Sequence, residues 1–394
     1  MKTYRVAILG CRSRGTAAAR AYHAHPRTEI VALCDLVQER LDTLGDELGV
    51  SARFTDLDAM MTAVHPDIVA IPTGTEFHYD LAMRVLEYGT NIEVEKPLCV
   101  DLEQADAIVA KAKEKDARVA VHHQGRVGPF MQTMARALAD GRIGRLRYIY
   151  GRGKGYYGGY GLMNIGVHVL NNILRLAGHC RSVTAVALTG GHAITPDDVV
   201  PSPSGMGTIA GEFITATLQF DHNVTATLAQ HRFPEMGRSG HLVELHGTEG
   251  RIRFARSTAK GVWWSPGPHE LPDGEPDTWE PLPAAVLDHY NPSSGAVVDD
   301  YWFVEEYVRA LDENRDHECS GDDGQHALEI MMGIFESAAY GKRVDLPQAQ
   351  RDHPLVRWRS EHGLGDPDPM PRPYKEWVAA EDHRLSRARA GKMA

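Results

Sequence analysis

The apolar pattern changes period part-way along the chain, and that change decides what the chain can fold into. Up to about residue 125, short apolar runs alternate with amphipathic helical stretches, the pattern of a doubly wound parallel sheet covered on both faces. The strand expectations are Tyr4 to Leu9, Glu29 to Cys34, Ile68 to Ile71, Asn91 to Val94 and Arg118 to His122. Past residue 145 the runs lengthen and alternate every second residue. Ile214, Ala216, Leu218 and Phe220 interleave with Thr215, Thr217 and Gln219, so one face of that strand is buried and the other is not. Similar runs at Arg181 to Leu188, Val224 to Gln230 and His241 to Phe254 extend it into one large open, mostly antiparallel sheet. Its helices are drawn from 129–140, 164–176, 299–313 and 324–341. A chain of 394 residues also exceeds what one core supports. The expected class is α/β: a doubly wound parallel sheet over 1–125, an α+β domain with the open sheet over 126–375, and a tail over 376–394 that frays from Arg384. Residues 190–211 and 256–298, rich in Gly, Pro and Ser, read as long loops.

A net charge of −11, from 42 basic and 53 acidic residues, disfavours nucleic acid and anionic membrane as partners and leaves a small molecule. Cys11, Cys34, Cys99, Cys180 and Cys319 are far apart and form no CxxC pair. Neither a disulfide framework nor a zinc cluster is expected, and a cytoplasmic location fits. Val6 to Leu9 is too short an apolar run for a signal peptide, and no later segment could span a bilayer. His23 with His25, and His122 with His123, lack the spacing of a metal site, and no metal is expected.

The first strand ends in Gly10-Cys11-Arg12-Ser13-Arg14-Gly15, and the alanine-rich start of a helix follows. Backbone N–H groups at such a helix start suit a pyrophosphate, as in a Rossmann domain. The dinucleotide pattern wants a second glycine where Arg12 stands; Arg12 then swings out to pair with the pyrophosphate. Strand two ends in Asp35, whose carboxylate can accept from the adenosine ribose hydroxyls and would repel a 2′-phosphate, so NAD is expected over NADP.

Two further features carry chemistry. A strand runs into Glu95-Lys96-Pro97, placing a lysine at the carboxyl end of a parallel strand, where open α/β sheets bind ligands. An apolar helix carries one polar stripe at Asn164, His168, Asn171 and Arg175, spaced so that the four side chains fall within about 60° of arc. An exposed face would more often carry Glu, Lys and Arg, so the stripe is expected to face a polar cavity and not solvent. Just before it, Arg145 to Gly161 holds four basic residues and five tyrosines with no acid. Arg152 and Lys154, with Tyr156, Tyr157 and Tyr160, are candidates to hold an anionic group, and Gln124 and Arg126, after the last parallel strand, are further lining candidates.

The order of glycine turn, Asp35, Thr73-Gly74-Thr75 with His78, Glu95-Lys96-Pro97, and the helix with Gly166 and His168 resembles the glucose–fructose oxidoreductase and inositol dehydrogenase family (Gfo/Idh/MocA) over nearly the whole chain. The resemblance implies NAD(P) and a polyol or sugar meeting between a Rossmann domain and an open-sheet domain. It implies that Thr73, Gly74, Thr75, His78, Glu95 and Lys96 join Gly10, Cys11, Arg12, Ser13, Arg14, Gly15 and Asp35 in holding the cofactor. Oxidising a secondary alcohol requires a group that takes the hydroxyl proton as hydride leaves. His168 is the candidate base, and Lys96 the group that orients and polarises the hydroxyl. Asn164 and Asn171 stand where the family commonly has aspartate, and Gly74 where proline is common. Asn164 and Asn171 can bond a sugar hydroxyl but cannot act as bases.

The function expected is an NAD-dependent sugar oxidoreductase acting on a secondary hydroxyl of a sugar or sugar derivative, anionic ones included. The alternative is an NAD-dependent glycosidase, such as a sulfoquinovosidase, that oxidises, eliminates, hydrates and reduces again, drawing an extra acid or base from Tyr156 to Tyr160. A noncatalytic sugar or NAD sensor is the third reading. The resemblance and the threonine-rich sheet face suggest a homodimer or homotetramer.

Overall fold

The computed structural model describes residues 2–234, 240–256, 260–268 and 278–393, and divides into two compact units. The first comprises Met1–Cys99, Gln104–Thr133 and Ala284–His326. Its six strands are β1 (Tyr4–Leu9), β2 (Thr28–Cys34), β3 (Arg53–Phe54), β4 (Ile68–Ile71), β5 (Asn91–Val94) and β6 (Val119–Val121). They form a parallel sheet in the order β3-β2-β1-β4-β5-β6. The reversal of order between β1 and β4 opens a crevice at the carboxyl ends of these strands. Val6, Ala7, Ile8 and the whole of β4 are buried, as continuous apolar strands covered on both faces require. The sequence foresaw five of these strands to within two residues at either end; β3, two residues long, has no run to reveal it.

The helix Val298–Asp312 brings Tyr301, Phe303, Val304 and Tyr307 into one core with Tyr4, Val6, Ile8 and Tyr22. The sequence reading gave this helix to the open sheet. Its amphipathic period shows that it buries a face, but not which sheet receives that face. The start of the next helix, Gly321–Tyr340, lies against β6: a Cβ on Gly324 would sit 2.4 Å from Val121 Cγ2, so only glycine permits this approach.

The second unit comprises Val100–Glu103, Met134–Pro283 and Ala327–Ala394. Its ten-stranded sheet runs Glu280–Leu282, Lys260–Ser265, Arg251–Arg256, His241–Gly247, Leu146–Arg152, Thr225–His231, Phe213–Phe220, Cys180–Thr189, Val344–Asp345, with His192–Ala193 paired to Cys180–Thr189. Among the described residues one neighbouring pair, Leu146–Arg152 with Thr225–His231, is parallel and the others are antiparallel. Ile214, Ala216, Leu218 and Phe220 are buried, while Thr215, Thr217 and Gln219 are exposed, as the alternation requires.

Three expectations are corrected. The run His241 to Phe254 is a hairpin of two strands, turned at Thr248 to Gly250. The expected loop 256–298 contains the strands Lys260–Ser265 and Glu280–Leu282; its residues 257–259 and 269–277 lie outside the described residues. The expected tail is a helix, Tyr374–Met393. Trp377 on it is fully buried with Nε1 donating to the Pro201 carbonyl at 2.8 Å, and Arg384 ion-pairs with buried Glu381. Packing of one indole outweighs the poor periodicity of this helix. Ala394 lies outside the described residues. Among the described residues no helix is long and apolar enough to cross a membrane.

Candidate active site

In the first unit the glycine turn is built by close approach. Gly10 has φ +110°, and a Cβ on Gly15 would lie 1.8 Å from the Gly10 carbonyl oxygen. The turn delivers the helix Ser13–Ala24 with no side-chain cap and no acid in its first turn, so its opening N–H groups present a positive end suited to phosphate. Arg12 is exposed at the N-cap position. Asp35 Oδ2 accepts from the Cys11 N–H at 2.7 Å and Oδ1 from the Val37 N–H at 2.9 Å. Oδ1 also receives Arg40 Nη1 at 3.3 Å, so Oδ2 is the oxygen that retains a lone pair for a ribose hydroxyl. Thr73 Oγ1 is buried without a hydrogen-bond partner, and its methyl lies 3.0 Å from where a Gly10 Cβ would be. The uncapped helix, the glycine cradle and the orphaned hydroxyl fit a dinucleotide. His78 braces this edge, with Nδ1 3.0 Å from the Pro97 carbonyl oxygen and Nε2 3.2 Å from that of Thr73; burial lowers its pKa.

Lys96 follows β5 and is half-buried. Burial pushes its pKa down to about 8, against the pull of Glu95 and with a further push from Arg14. Glu95 Oε2 accepts from the Lys96 backbone N–H at 3.2 Å, and Arg14 Nε donates to Glu95 Oε1 at 2.6 Å. Arg14, expected to face the cofactor from the glycine turn, therefore sends its side chain to the Glu-Lys-Pro element, and also reaches Asp300 at 3.4 Å. His122 joins the same buried network through Glu93 and Asp300. Asp300, Glu93 and Tyr22 were missed, because no local spacing links them to Lys96. Past β6, Gln124 Oε1 is buried without a partner, and Arg126 donates to Asp323 at 3.2 Å.

In the second unit the stripe begins in a π-helical turn, Leu162–Gly166, continued by the helix Val167–Ala177. Such turns recur at functional sites. Asn164 Nδ2 donates to the Tyr160 hydroxyl at 2.9 Å. Asn171 is fully buried, and His168 and Arg175 are half-buried, so the stripe is not a solvated face. Gln230 explains the glycines beside it: Cβ atoms on Gly153, Gly161 and Gly166 would lie 1.9, 3.1 and 3.1 Å from its amide.

The tyrosines divide. Tyr156, Tyr160 and Tyr374 form an aromatic group with centroids 4.9 to 5.3 Å apart. Tyr157 is fully buried and donates to Glu381 at 3.1 Å, so it docks the C-terminal helix. Tyr374 was missed, lying some two hundred residues from the motif it completes. Arg152 stacks over Phe233 at 5.6 Å. Lys154, Arg256 and Lys260 gather around His241, whose pKa burial and these cations push down to about 3.

His25, His289 and Glu305 offer three ligand-type atoms within 4.8 Å of one another. His25 Nδ1, however, accepts from the Arg27 N–H, so its Nε2 carries the proton and donates to Glu305 Oε2 at 2.9 Å. In that tautomer it offers no lone pair to a cation.

A parallel sheet with a glycine turn at its switch point and a lysine at a strand's carboxyl end, in a chain that also carries an open-sheet unit, defines a dinucleotide-dependent enzyme of two-domain type. Residues 4–123 match the oxidoreductase family, NAD-binding Rossmann fold, and residues 131–253 match the GFO/IDH/MocA C-terminal domain. The chain belongs to the Gfo/Idh/MocA family, and its first unit is an NAD-binding Rossmann domain. It is 24% identical to D-apiose dehydrogenase of Paraburkholderia graminis, covering 90% of this chain and 93% of that one. It is 23% identical to inositol 2-dehydrogenase of Rhizobium meliloti, covering 87% and 99%. A levoglucosan dehydrogenase solved with NADH and levoglucosan shares its fold with TM-score 0.71 at 19% identity, covering 88% of this chain and all of that one. The WlbA dehydrogenase of Bordetella pertussis, solved with NADH and UDP-GlcNAcA, gives 0.67 at 19% identity, covering 88% and 98%.

Proposed function

We propose that this protein oxidises a secondary hydroxyl of a sugar or sugar derivative with NAD. The observation that carries the reading is Lys96: an ammonium with its pKa lowered to about 8, at the carboxyl edge of an NAD-binding sheet, within one ion pair of the glycine-turn helix. A lysine there can donate a hydrogen bond to a substrate oxygen and share its proton near neutral pH. NAD, when bound, accepts the hydride. The opening N–H groups of the glycine-turn helix, Asp35 and Thr73 hold it. His168 takes the hydroxyl proton and Asn164 bonds the sugar, whereas Asn171, expected beside them, is fully buried and has no surface with which to reach it. The relatives named above are dehydrogenases, which supports net hydride transfer over glycoside cleavage.

The reading extends to three finer points. The gathering of Lys154, Arg256 and Lys260 around His241 supports a substrate with an anionic group. The sheet face with Thr184, Thr215 and Thr217 also exposes Val186 (57%), Leu188 and Phe213, which supports a second copy of the chain covering it. Five buried cysteine thiols support a reducing cytoplasm.

The test is incubation with NAD and a panel of neutral and anionic sugars and their aryl glycosides, following 340 nm absorbance and aglycone release together. Stoichiometric NADH without aglycone is expected. NAD-dependent aglycone release without net NADH would replace the reading with a redox-cycling glycosidase, and binding of NADH with no turnover on any sugar would leave a sensor.

A further inference from the structure

Five ionisable side chains interlock beside Lys96 at the carboxyl edge of the parallel sheet, and one of them arrives from nearly two hundred residues beyond the sheet. Arg14, Glu93, Glu95, Lys96 and His122 belong to the sheet and the helix after β1; Asp300 stands in the first turn of the helix Val298–Asp312. Both nitrogens of the His122 ring face carboxylate oxygens: Glu93 Oε1 at 2.5 Å and Asp300 Oδ1 at 3.0 Å. Asp300 Oδ1 also receives Arg14 and the other Glu93 oxygen receives Tyr22, so both groups act as carboxylate acceptors. Both ring nitrogens therefore carry protons, and the ring is an imidazolium. Tyr22 donates to the other oxygen of Glu93 at 2.5 Å. With His122 charged, three cations balance three carboxylates, which is the condition for keeping such a group out of water.

The titratable groups that act on Lys96 include Glu95 next to it in the chain, Arg14 from the glycine-turn helix, and His123 after β6, with His78 bonded to the adjoining Pro97 carbonyl. His122 in turn acts on Glu95. Asp300 holds both Arg14 and His122, the two cations that hold or act on Glu95.

We propose that Asp300 is a positioning residue for Lys96, acting through Arg14 and the charged His122 to fix Glu95 against the Lys96 backbone and to set the field around the ammonium. Only the catalytic consequence rests on the proposed function. Asp300 itself touches neither substrate nor reacting atoms.

The test needs no cofactor. Apoprotein is treated with an amine-acylating reagent from pH 6 to 11, and modification of the Lys96 peptide is followed by mass spectrometry; the unaltered protein titrates near 8. Asp300→Asn deletes a negative charge, so the Lys96 midpoint falls by about one pH unit; His122→Gln deletes a positive one, so it rises by a similar amount. General loosening would only solvate Lys96 and raise its midpoint, so the fall in Asp300→Asn separates positioning from a packing role. An unchanged or raised midpoint in folded Asp300→Asn protein overturns the proposal. A shifted midpoint with unchanged turnover keeps Asp300 as a positioning residue and removes Lys96 from the chemistry, so the two readings fail separately. A measurement on the unaltered protein stands however the variants fold: with ¹⁵N-labelled histidine, one ring keeps both nitrogens protonated at pH 8.5, and the absence of such a ring overturns the proposal.

Discussion

The Cys11 backbone N–H donates to Asp35 Oδ2 at 2.7 Å, so the carboxylate that follows the second strand also anchors the glycine turn that follows the first. In the proposed function the same residue that fixes the turn geometry also selects the cofactor. Asp35→Asn keeps an acceptor for Cys11 but removes the charge that meets a ribose hydroxyl or repels a 2′-phosphate. A charge-assisted bond contributes about 1.5–3 kcal/mol, so NADH affinity falls about tenfold or more while NADPH affinity rises. Fluorescence titration with both nucleotides measures the ratio; an unchanged ratio would remove Asp35 from cofactor selection.

Lys96 titrates near 8 because burial outweighs its carboxylate neighbour Glu95. Lys96→Ala is expected to lower kcat by about 10²- to 10⁴-fold, the usual range for a lost proton-transfer group. Lys96→Arg does not rescue it, since a guanidinium stays charged throughout. The kcat–pH profile of the unaltered enzyme carries an inflection near 8 that both variants lack.

His168 lies two residues past a π turn and is half-buried. His168→Asn is expected to lower kcat by about 10²-fold or more and to leave the NADH dissociation constant within about twofold, because the glycine turn belongs to the other unit. Stopped-flow hydride transfer with a primary deuterium isotope effect reports the step directly. A loss confined to KM would make His168 a binding residue instead.

The sequence showed those parts of the site that depend on local order. Ile214, Ala216, Leu218 and Phe220 betray their buried face because strand geometry repeats every two residues. Lys96 is conspicuous because it follows a parallel strand at its carboxyl end. Asp300 is not, since an acid in the first turn of an amphipathic helix reads the same whichever sheet the helix meets. Gly153, Gly161 and Gly166 look like a flexible segment until Gln230 is found filling the space their side chains would need. The π turn at Asn164 leaves the residue period almost unaltered, so no pattern marks it. Contacts between residues far apart in the chain account for Asp300 and for the glycines, whereas the π turn is a local feature that the residue period does not record.

Trp377 tests the docking of the C-terminal helix. Its ring packs edge-on against Tyr157 at 4.9 Å and its Nε1 donates to the Pro201 carbonyl. Trp377→Ala is expected to cost about 3–5 kcal/mol of stability, the range for deleting a buried indole, read as a lower urea midpoint. Tyr374 and Tyr157 lose their common support, so substrate KM rises while NADH affinity holds. Equal loss of both would mean that the helix stabilises the whole chain without bearing on the substrate.

His122 and Lys96 give opposite pH dependences of stability. Burial alone would lower the His122 pKa, but Glu93 and Asp300 raise it to about 10, above the ordinary 6.5. Its stabilising contribution is complete below pH 6.5 and is lost as pH rises toward 10. Lys96 is depressed to about 8 from 10.5; between these values the unfolded chain binds the extra proton, so stability rises with pH. Urea midpoints at half-unit intervals separate the two. The advantage of the unaltered protein over His122→Gln shrinks from pH 6.5 to 10, whereas its standing against Lys96→Met improves from pH 8 to 10.5. Two flat difference curves would mean that neither group is held in the charge state its neighbours impose.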